Sequence, residues 1–417
     1  MWSTFATRWA DELMTKPANG DVASLGKLTP GRKNILVVDH HVPTPDRDSG
    51  SLRMFQILKL LHGLGHRVTF IPDNLAKRQP YTGELQKRGI EVVYYPYVKK
   101  VRDYLAAHGS SFDAVLLSRC DFARKHIGDV RLHAPQSRII FDTVDLHYLR
   151  EDSEAKLTRD PEMRRKAQEK LRLEHELIDE ADETWVVSPV EQQLLHKSWP
   201  HKSIQLVSNI VDVPGSKKPF GLRRDYLFIG GFQHRPNIDA VLFFLQEIYP
   251  LVSKRLRDAK FYIIGDKPPP EVVALATEGV MVAGLQRDAR PFFDSVKLSV
   301  APLRFGAGVK GKINQSMALG VPVVATSIAA EGMELQDHEE ILLADEPEEF
   351  ARALVELYES EDLWNRLSEN GVRKTRALYS PDAARKTLEF LFSEGHLKGR
   401  VPSTEVPQKE IVLAANS

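Results

Sequence analysis

The residues with the clearest chemical potential lie in RFGAGVKGKINQSMALGVPVVAT, 304 to 326, where glycines and lysines interleave ahead of an expected helix and a buried strand. Gly306, Gly308 and Gly311 let the backbone turn sharply and come close to a ligand. Lys310 and Lys312 fall where a helix presents unpaired N–H groups and the positive end of its dipole. Donors and positive charge brought to one point suit a phosphate. The same glycines could serve only to turn the chain from strand to helix, and the residues alone leave both readings open.

The N-terminal half offers two further clusters. After NILVVD comes the turn-rich loop HHVPTPDRDSGSLRM, in which Gly50 and Ser51 stand at an expected helix start and Arg53 on its first turn could pair with an anion. Asp46 and Asp48 spell a D-x-D pattern that could hold a divalent cation, while Asp48 could equally cap the helix. FDTVDLHYLRE places Asp142, Asp145 and His147 directly after an expected strand, where a histidine beside two carboxylates could hydrogen-bond a substrate hydroxyl or move a proton. In the second half, IGGFQHRPNIDAV joins a strand to a helix through Gly231 and Arg235, which could face a diphosphate or be structural. VVSPVEQQ reads first as a helix cap at Ser188 with Glu191 in the first turn. The charged run from Asp160 to Glu180 reads as a solvated helix with no catalytic role.

These clusters need elements to position them. From Asn34 onward short apolar runs (NILVVD, RVTFI, IEVVYY, DAVLLS, RIIFD, ETWVVS) alternate with amphipathic segments. The rhythm repeats in DYLFIG, KFYIIG, VMVAG, KLSVAPL, VPVVAT and ILLAD. Strands alternating with helices imply parallel sheets, so an α/β chain of two Rossmann-like, doubly wound domains facing each other across a cleft is expected. The expected divisions are an N-terminal extension (1–33), a first domain (34–215), a second domain (216–379), a helix returning to the first domain (380–396) and a tail (397–417). A formal net charge of zero over 417 residues gives no footprint for nucleic acid or for an anionic membrane as the main partner. The single cysteine, Cys120, excludes an internal disulfide and a cysteine-rich metal site. No signal peptide or membrane span is expected, so the cytoplasm is the expected compartment, with peripheral contact at the inner face of a membrane left open.

Taken in order, the NILVVDHHVPTPDRDSGS opening, FDTVDLHYLRE, ADETWVVS, SNIVD, IGGFQHRPN and PLRFGAGVKGKINQSMALGVPVVAT resemble the GT-B glycosyltransferases, and among them the retaining enzymes of glycosyltransferase family 4. The resemblance implies a nucleotide-diphosphate sugar held by the second domain and a glycan or lipid-linked glycan acceptor held by the first, with no metal or other cofactor. It implies a histidine near the reacting sugar at His147 and cations beside the leaving diphosphate at Lys310 and Lys312; Asp145, from its own cluster, completes the candidate catalytic set. Donor contacts would come from Gly231, Arg235, Arg304, Gly306, Gly308, Lys310, Lys312 and Gln315, and acceptor-side positions are Asp46, Asp48, Gly50, Ser51, Arg53 and Asp142. Many members carry two glutamates eight positions apart; Ala307 and Gln315 stand at those places here. That departure keeps a non-catalytic nucleotide-binding partner in view, beside a nucleotide-sugar epimerase or hydrolase of the same fold as the alternative enzyme.

Overall fold

A computed structural model describes residues 31–393 and His396; the expected N-terminal extension and tail lie almost wholly outside these residues. Two parallel sheets are present. The first has seven strands in the order β3-β2-β1-β4-β5-β6-β7: β1 (Asn34–Asp39), β2 (Arg67–Pro72), β3 (Glu91–Val92), β4 (Ala114–Ser118), β5 (Arg138–Asp142), β6 (Glu183–Val186) and β7 (Ser203–Leu206). The second has six in the order β10-β9-β8-β11-β12-β13: β8 (Arg224–Ile229), β9 (Phe261–Ile264), β10 (Val280–Gly284), β11 (Val296–Ala301), β12 (Val323–Ala325) and β13 (Leu342–Leu343). The central strands are apolar throughout because helices cover both faces, as in β1, where all six residues are buried. This is the two-domain α/β architecture that the alternating pattern implies.

Two strands differ from expectation. IEVVYY yields only the two-residue β3, since the last bond to β2 is the Val93 N–H donating to the Phe70 carbonyl at 2.9 Å and the chain then turns at Tyr95–Tyr97. β7 was not expected, because SIQL carries only two apolar residues and gains its strand character from pairing with β6.

In each sheet the strand order reverses once, between β1 and β4 and between β8 and β11. Ligands in open α/β sheets bind beyond the carboxyl ends of strands at such switch points. The first is marked by Asp39 and Arg119, the second by Gly230–Gly231 and the loop from Leu303 to Lys310. Late in the chain, the helix Pro381–Leu391, capped by Ser380, delivers Leu388, Leu391 and Phe392 into the apolar cluster under β1, with Ile35, Phe70 and Trp185. The last helix therefore packs on the first domain.

Candidate functional site

Between the two carboxyl edges lies a cavity of about 460 Å³ lined by residues of both domains, within the range of small-molecule sites. On the second domain's side, Gly306 and Gly308 hold φ of +148° and +66°, and the helix Gly311–Ala318 begins immediately afterwards. The loop follows β11 because Leu303 and Phe305 are buried beneath it and anchor its start. Lys310 Nζ donates to the Gly308 carbonyl at 2.8 Å and lines the cavity. Lys312 Nζ donates to Asn237 Oδ1 at 2.5 Å and sits 4.2 Å from the centre of the Phe228 ring. Burial, with the like charge of Lys310, pulls Lys312 down to about 7. Burial also lowers Lys310, against the carboxylates of Glu331, Glu191 and Asp145. An anion arriving beside them favours the charged form of both lysines, and Lys312, held at about 7, gains charge as it binds.

The glycines serve a second purpose that the sequence did not show. A Cβ on Gly311 would stand 2.4 Å from Ser49 Cβ, and one on Gly308 would stand 3.1 Å from Asp145 Cβ, so the loop of the second domain rests on the first. Asn209 Nδ2 donates to the Val309 carbonyl at 3.0 Å, and Arg47 pairs with Asp266 at 3.0 Å, both across the cleft.

On the first domain's side, Asp145 lines the cavity and pairs closely with Arg150. Burial opposes its charge, but Arg150, then His147 and Arg119, hold its carboxyl down at about 2. His147 stands behind Asp145 rather than on the cavity wall, its Nδ1 3.3 Å from Glu174 Oε1 and 3.8 Å from Asp145 Oδ1. Burial would lower it; the charge of Asp145, then the neighbouring Cys120 and Glu174, raise it to about 10. It is therefore an imidazolium at neutral pH, a donor and a charge rather than a base. The helix His147–Thr158 has no side-chain cap of its own. Glu174, fully buried, supplies one from the neighbouring helix Pro161–Glu180, accepting from the backbone N–H groups of His147 at 2.8 Å and Tyr148 at 3.1 Å. The charged run from Asp160 to Glu180 is thus not wholly solvated.

Glu191 belongs to a capping box with Ser188, as its position suggested. Its carboxylate also accepts from the backbone of Leu146 and Val187, which ties the Asp145 loop to the end of β6. Burial raises it to about 7, helped by Asp145 and opposed by the backbone N–H groups of Leu146, Val187 and Ser188. Strain gathers at the same edge. Arg119 (φ +69°) and the β-branched Val144 (φ +65°) are held in the left-handed region and both line the cavity, each conformation costing on the order of 1–3 kcal/mol.

Several expected site residues lie elsewhere. Arg53 and Asp142 form a fully buried bidentate pair, at 2.9 and 2.8 Å, with Ser118 donating to Asp142 and the Val207 carbonyl accepting from Arg53. They hold the helix Ser49–Gly63 to β5 and are not open to an acceptor. Ser51 is buried and donates its backbone N–H to Asp48, which caps that helix. Arg235 is exposed, off the cavity wall, and reaches across to Glu154 at 2.8 Å. Arg304 is taken up by Asp239 and the Phe243 ring, also off the wall. Asp46, Asp48, Gly50, Gly231, Gln315 and Ala307 do line it. Asp46 accepts from the Tyr81 hydroxyl at 2.7 Å, so neither carboxylate of the D-x-D pattern is spare. Among the described residues, Cys120, His147 and Glu174 bring three possible metal ligands within 4.8 Å of one another. Glu174 already accepts from two backbone N–H groups at the helix start, while the buried His147 Nδ1 lies near it without a hydrogen bond of good geometry.

The sequence reading missed Arg119 and Arg150, both on the cavity wall. Arg119 and Arg150 carried no motif signal. His234 and Asn237 were visible in the second-domain glycine loop, where Asn237 Nδ2 donates to the Gly231 carbonyl at 2.7 Å and so fixes that turn.

Residues 223–360 match the family model described as glycosyl transferases group 1. A 44.6 kDa protein of the cps region of Klebsiella pneumoniae is 26% identical over 165 residues, 37% of this chain and 42% of that protein, so the match spans under half of the relative's length. Three solved structures share the whole architecture. Sucrose-phosphate synthase from Thermosynechococcus elongatus has TM-score 0.66 and 13% identity, covering 87% of this chain and 98% of that one. TarM has TM-score 0.68 and 12% identity, covering 86% and 98%. HepE from Anabaena, solved with UDP and glucose, has TM-score 0.67 and 12% identity, covering 87% and 100%. The fold is that of the GT-B glycosyltransferases.

Proposed function

We propose, from a second domain of the group 1 glycosyltransferase type set in a GT-B fold, that this chain transfers a sugar from a nucleotide-diphosphate donor to a hydroxyl acceptor, with retention at the anomeric carbon and without a metal. The observation that carries the reading is the convergence on one cavity of a helix start with two lysines and, opposite, an ionised Asp145 backed by an imidazolium. The family match and HepE's bound UDP support a nucleotide sugar as donor.

In this reading the diphosphate lies against the N–H groups at the start of the helix Gly311–Ala318. As the leaving group gains charge, Lys310 and Lys312 stabilise it; loss of one such donor commonly costs about 3–4 kcal/mol. With these cations present, a metal has no task left at the leaving group. Gln315 offers an amide to the ribose in place of a carboxylate. Asp145 faces the reacting sugar, and His147, behind it, is a positioning residue that keeps Asp145 charged and oriented. The acceptor, a glycan or lipid-linked glycan, enters along the first domain beside Asp46, Asp48 and Gly50. The cps-region relative suggests a bacterial polysaccharide pathway, placed on the cytoplasmic side; no helix among the described residues is long and apolar enough to cross a membrane.

Ala307 and Gln315 on the cavity wall favour a second reading, a nucleotide-binding partner without turnover. A thermal-shift panel of UDP, GDP, ADP, dTDP and their sugars identifies the base, and product analysis with the selected sugar then separates transfer from epimerisation, hydrolysis or binding alone. Lys310→Ala is expected to lower turnover by about two to three orders of magnitude with the fold intact. Turnover unchanged in that variant would refute the assigned role, and nucleotide binding without any product would leave the second reading.

A further inference from the structure

We propose that the outer edge of the first domain, formed by the loops after β2 and β3, docks on an anionic lipid surface and so sets the cleft mouth against a membrane. This goes beyond the transfer reaction and stands without it. The loop after β3 carries YYPYVKK, 94 to 100, and the loop after β2 reads DNLAKRQP, 73 to 80; their one acidic residue, Asp73, is taken up by Lys125 and His126. They are joined by the Tyr95 N–H, which donates to the Leu75 carbonyl at 3.0 Å, and by Lys77 Nζ, 5.6 Å from the centre of the Tyr94 ring.

Tyr94 and Val98 are buried and anchor the β3 loop, while Tyr95 and Tyr97 between them point outward, 63% and 79% exposed. Tyr97 is the most exposed large apolar side chain among the described residues, yet it is held in place edge-on against Tyr94, ring centres 5.4 Å apart. Around the two tyrosines stand Lys77, Arg78, Lys99 and Lys100, and none of the four makes an ion pair among the described residues. Of the acids nearby, Asp73 pairs with Lys125 and His126, Glu84 with Lys87 and Arg88, and Asp129 with Arg102, which leaves the exposed Asp103, in the first turn of the following helix, as the one counter-charge among the described residues beside Lys100. In a chain of zero formal net charge, four unpaired cations around two rigid, projecting tyrosines are a local excess.

Tyrosine suits the boundary between headgroups and acyl chains, its ring apolar and its hydroxyl wet. Lysine and arginine near an anionic leaflet each strengthen binding by about fivefold. The patch also abuts the cleft: Tyr81, which opens the helix following the β2 loop, bonds Asp46 on the cavity wall. A surface seated on this edge would present an acceptor directly to the first domain.

Co-sedimentation of the full chain with vesicles of phosphatidylcholine alone, and of phosphatidylcholine with about one-third phosphatidylglycerol, tests this. Binding only to the anionic vesicles is expected, weakening as salt shortens the screening length. The double reversal Lys99→Glu, Lys100→Glu is expected to weaken it about a hundredfold, and Tyr97→Ala several-fold with the salt dependence kept. Leu222→Ala, at an equally exposed apolar residue on the second domain, is expected to leave it unchanged. All these sites are on the surface, so melting temperatures should match that of the parent chain. Equal binding to neutral vesicles, no binding, or full binding by the double reversal would overturn the proposal, as would capture of soluble heparin by the patch while vesicles fail to bind.

Discussion

Replacing Asp145 by Asn removes the charge on which its neighbourhood depends. Asp145 is the largest influence raising His147, and it pairs with the mostly buried Arg150. Raising the imidazole from 6.5 to about 10 corresponds to at most roughly 5 kcal/mol of attraction between the ion and its surroundings. The same attraction depresses Asp145, so it counts once. Removing one partner of a buried pair typically costs about 3–5 kcal/mol. Here Arg150 keeps some contact with water and His147 can release its proton, so a loss of about 3 kcal/mol near pH 6 is expected.

The sign with pH follows from the two directions. His147, raised on folding, stabilises fully below 6.5 and loses that contribution as pH climbs through about 10. Asp145, depressed on folding, contributes above 3.8 and loses its contribution as pH falls through about 2. The difference between parent and variant is therefore largest between about pH 4 and 6.5 and shrinks toward pH 10, leaving only the part due to Arg150. Urea denaturation at pH 6 and pH 10 measures it, and NMR titration of the His147 ring in Asp145→Asn should show its pKa falling by more than a full pH unit. A parent His147 that titrates below 7, or a variant whose stability loss is the same at both pH values, would refute the electrostatic account of this site.

Three further outcomes are expected. Arg53→Met strands Asp142 in the core and should cost about 3–5 kcal/mol in urea denaturation, whereas the double change with Asp142→Leu should recover much of that loss. Gly311→Ala drives a Cβ into Ser49, so small-angle scattering should show a wider molecule with weakened nucleotide response, and Ser49→Gly in the same chain should restore both. Nucleotide-sugar affinity should be highest below pH 7 and fall above it, by up to about tenfold per pH unit, because the bound diphosphate favours the charged form of Lys312; calorimetry with a non-hydrolysed donor, flat from pH 6 to 8.5, would count against that lysine facing the phosphates.

Much of this protein was written along the chain. Apolar runs at regular intervals gave both sheets, because a parallel strand covered on each face must be apolar throughout, and only β3 and β7 departed from the pattern. The glycine–lysine loop was legible because backbone freedom and charge at a helix start are local properties. Arg53, by contrast, looked like a ligand cation from its place on a first turn, and only the tertiary packing showed Asp142 waiting 89 positions away. Glu174 was hidden in a run of solvated charge: a single helical face decides which of its carboxylates turns inward, and that face is set by the helix it packs against. The height of His147 on the pH scale likewise depends on distances to Asp145 and Glu174 that spacing does not encode. The sequence determined which elements form and which loops could hold an anion, since those follow from nearest neighbours. The tertiary structure decided which charges meet each other instead of a ligand, since groups far apart in the chain meet only when each domain folds, as Arg53 meets Asp142, or when the two domains face each other, as Arg47 meets Asp266.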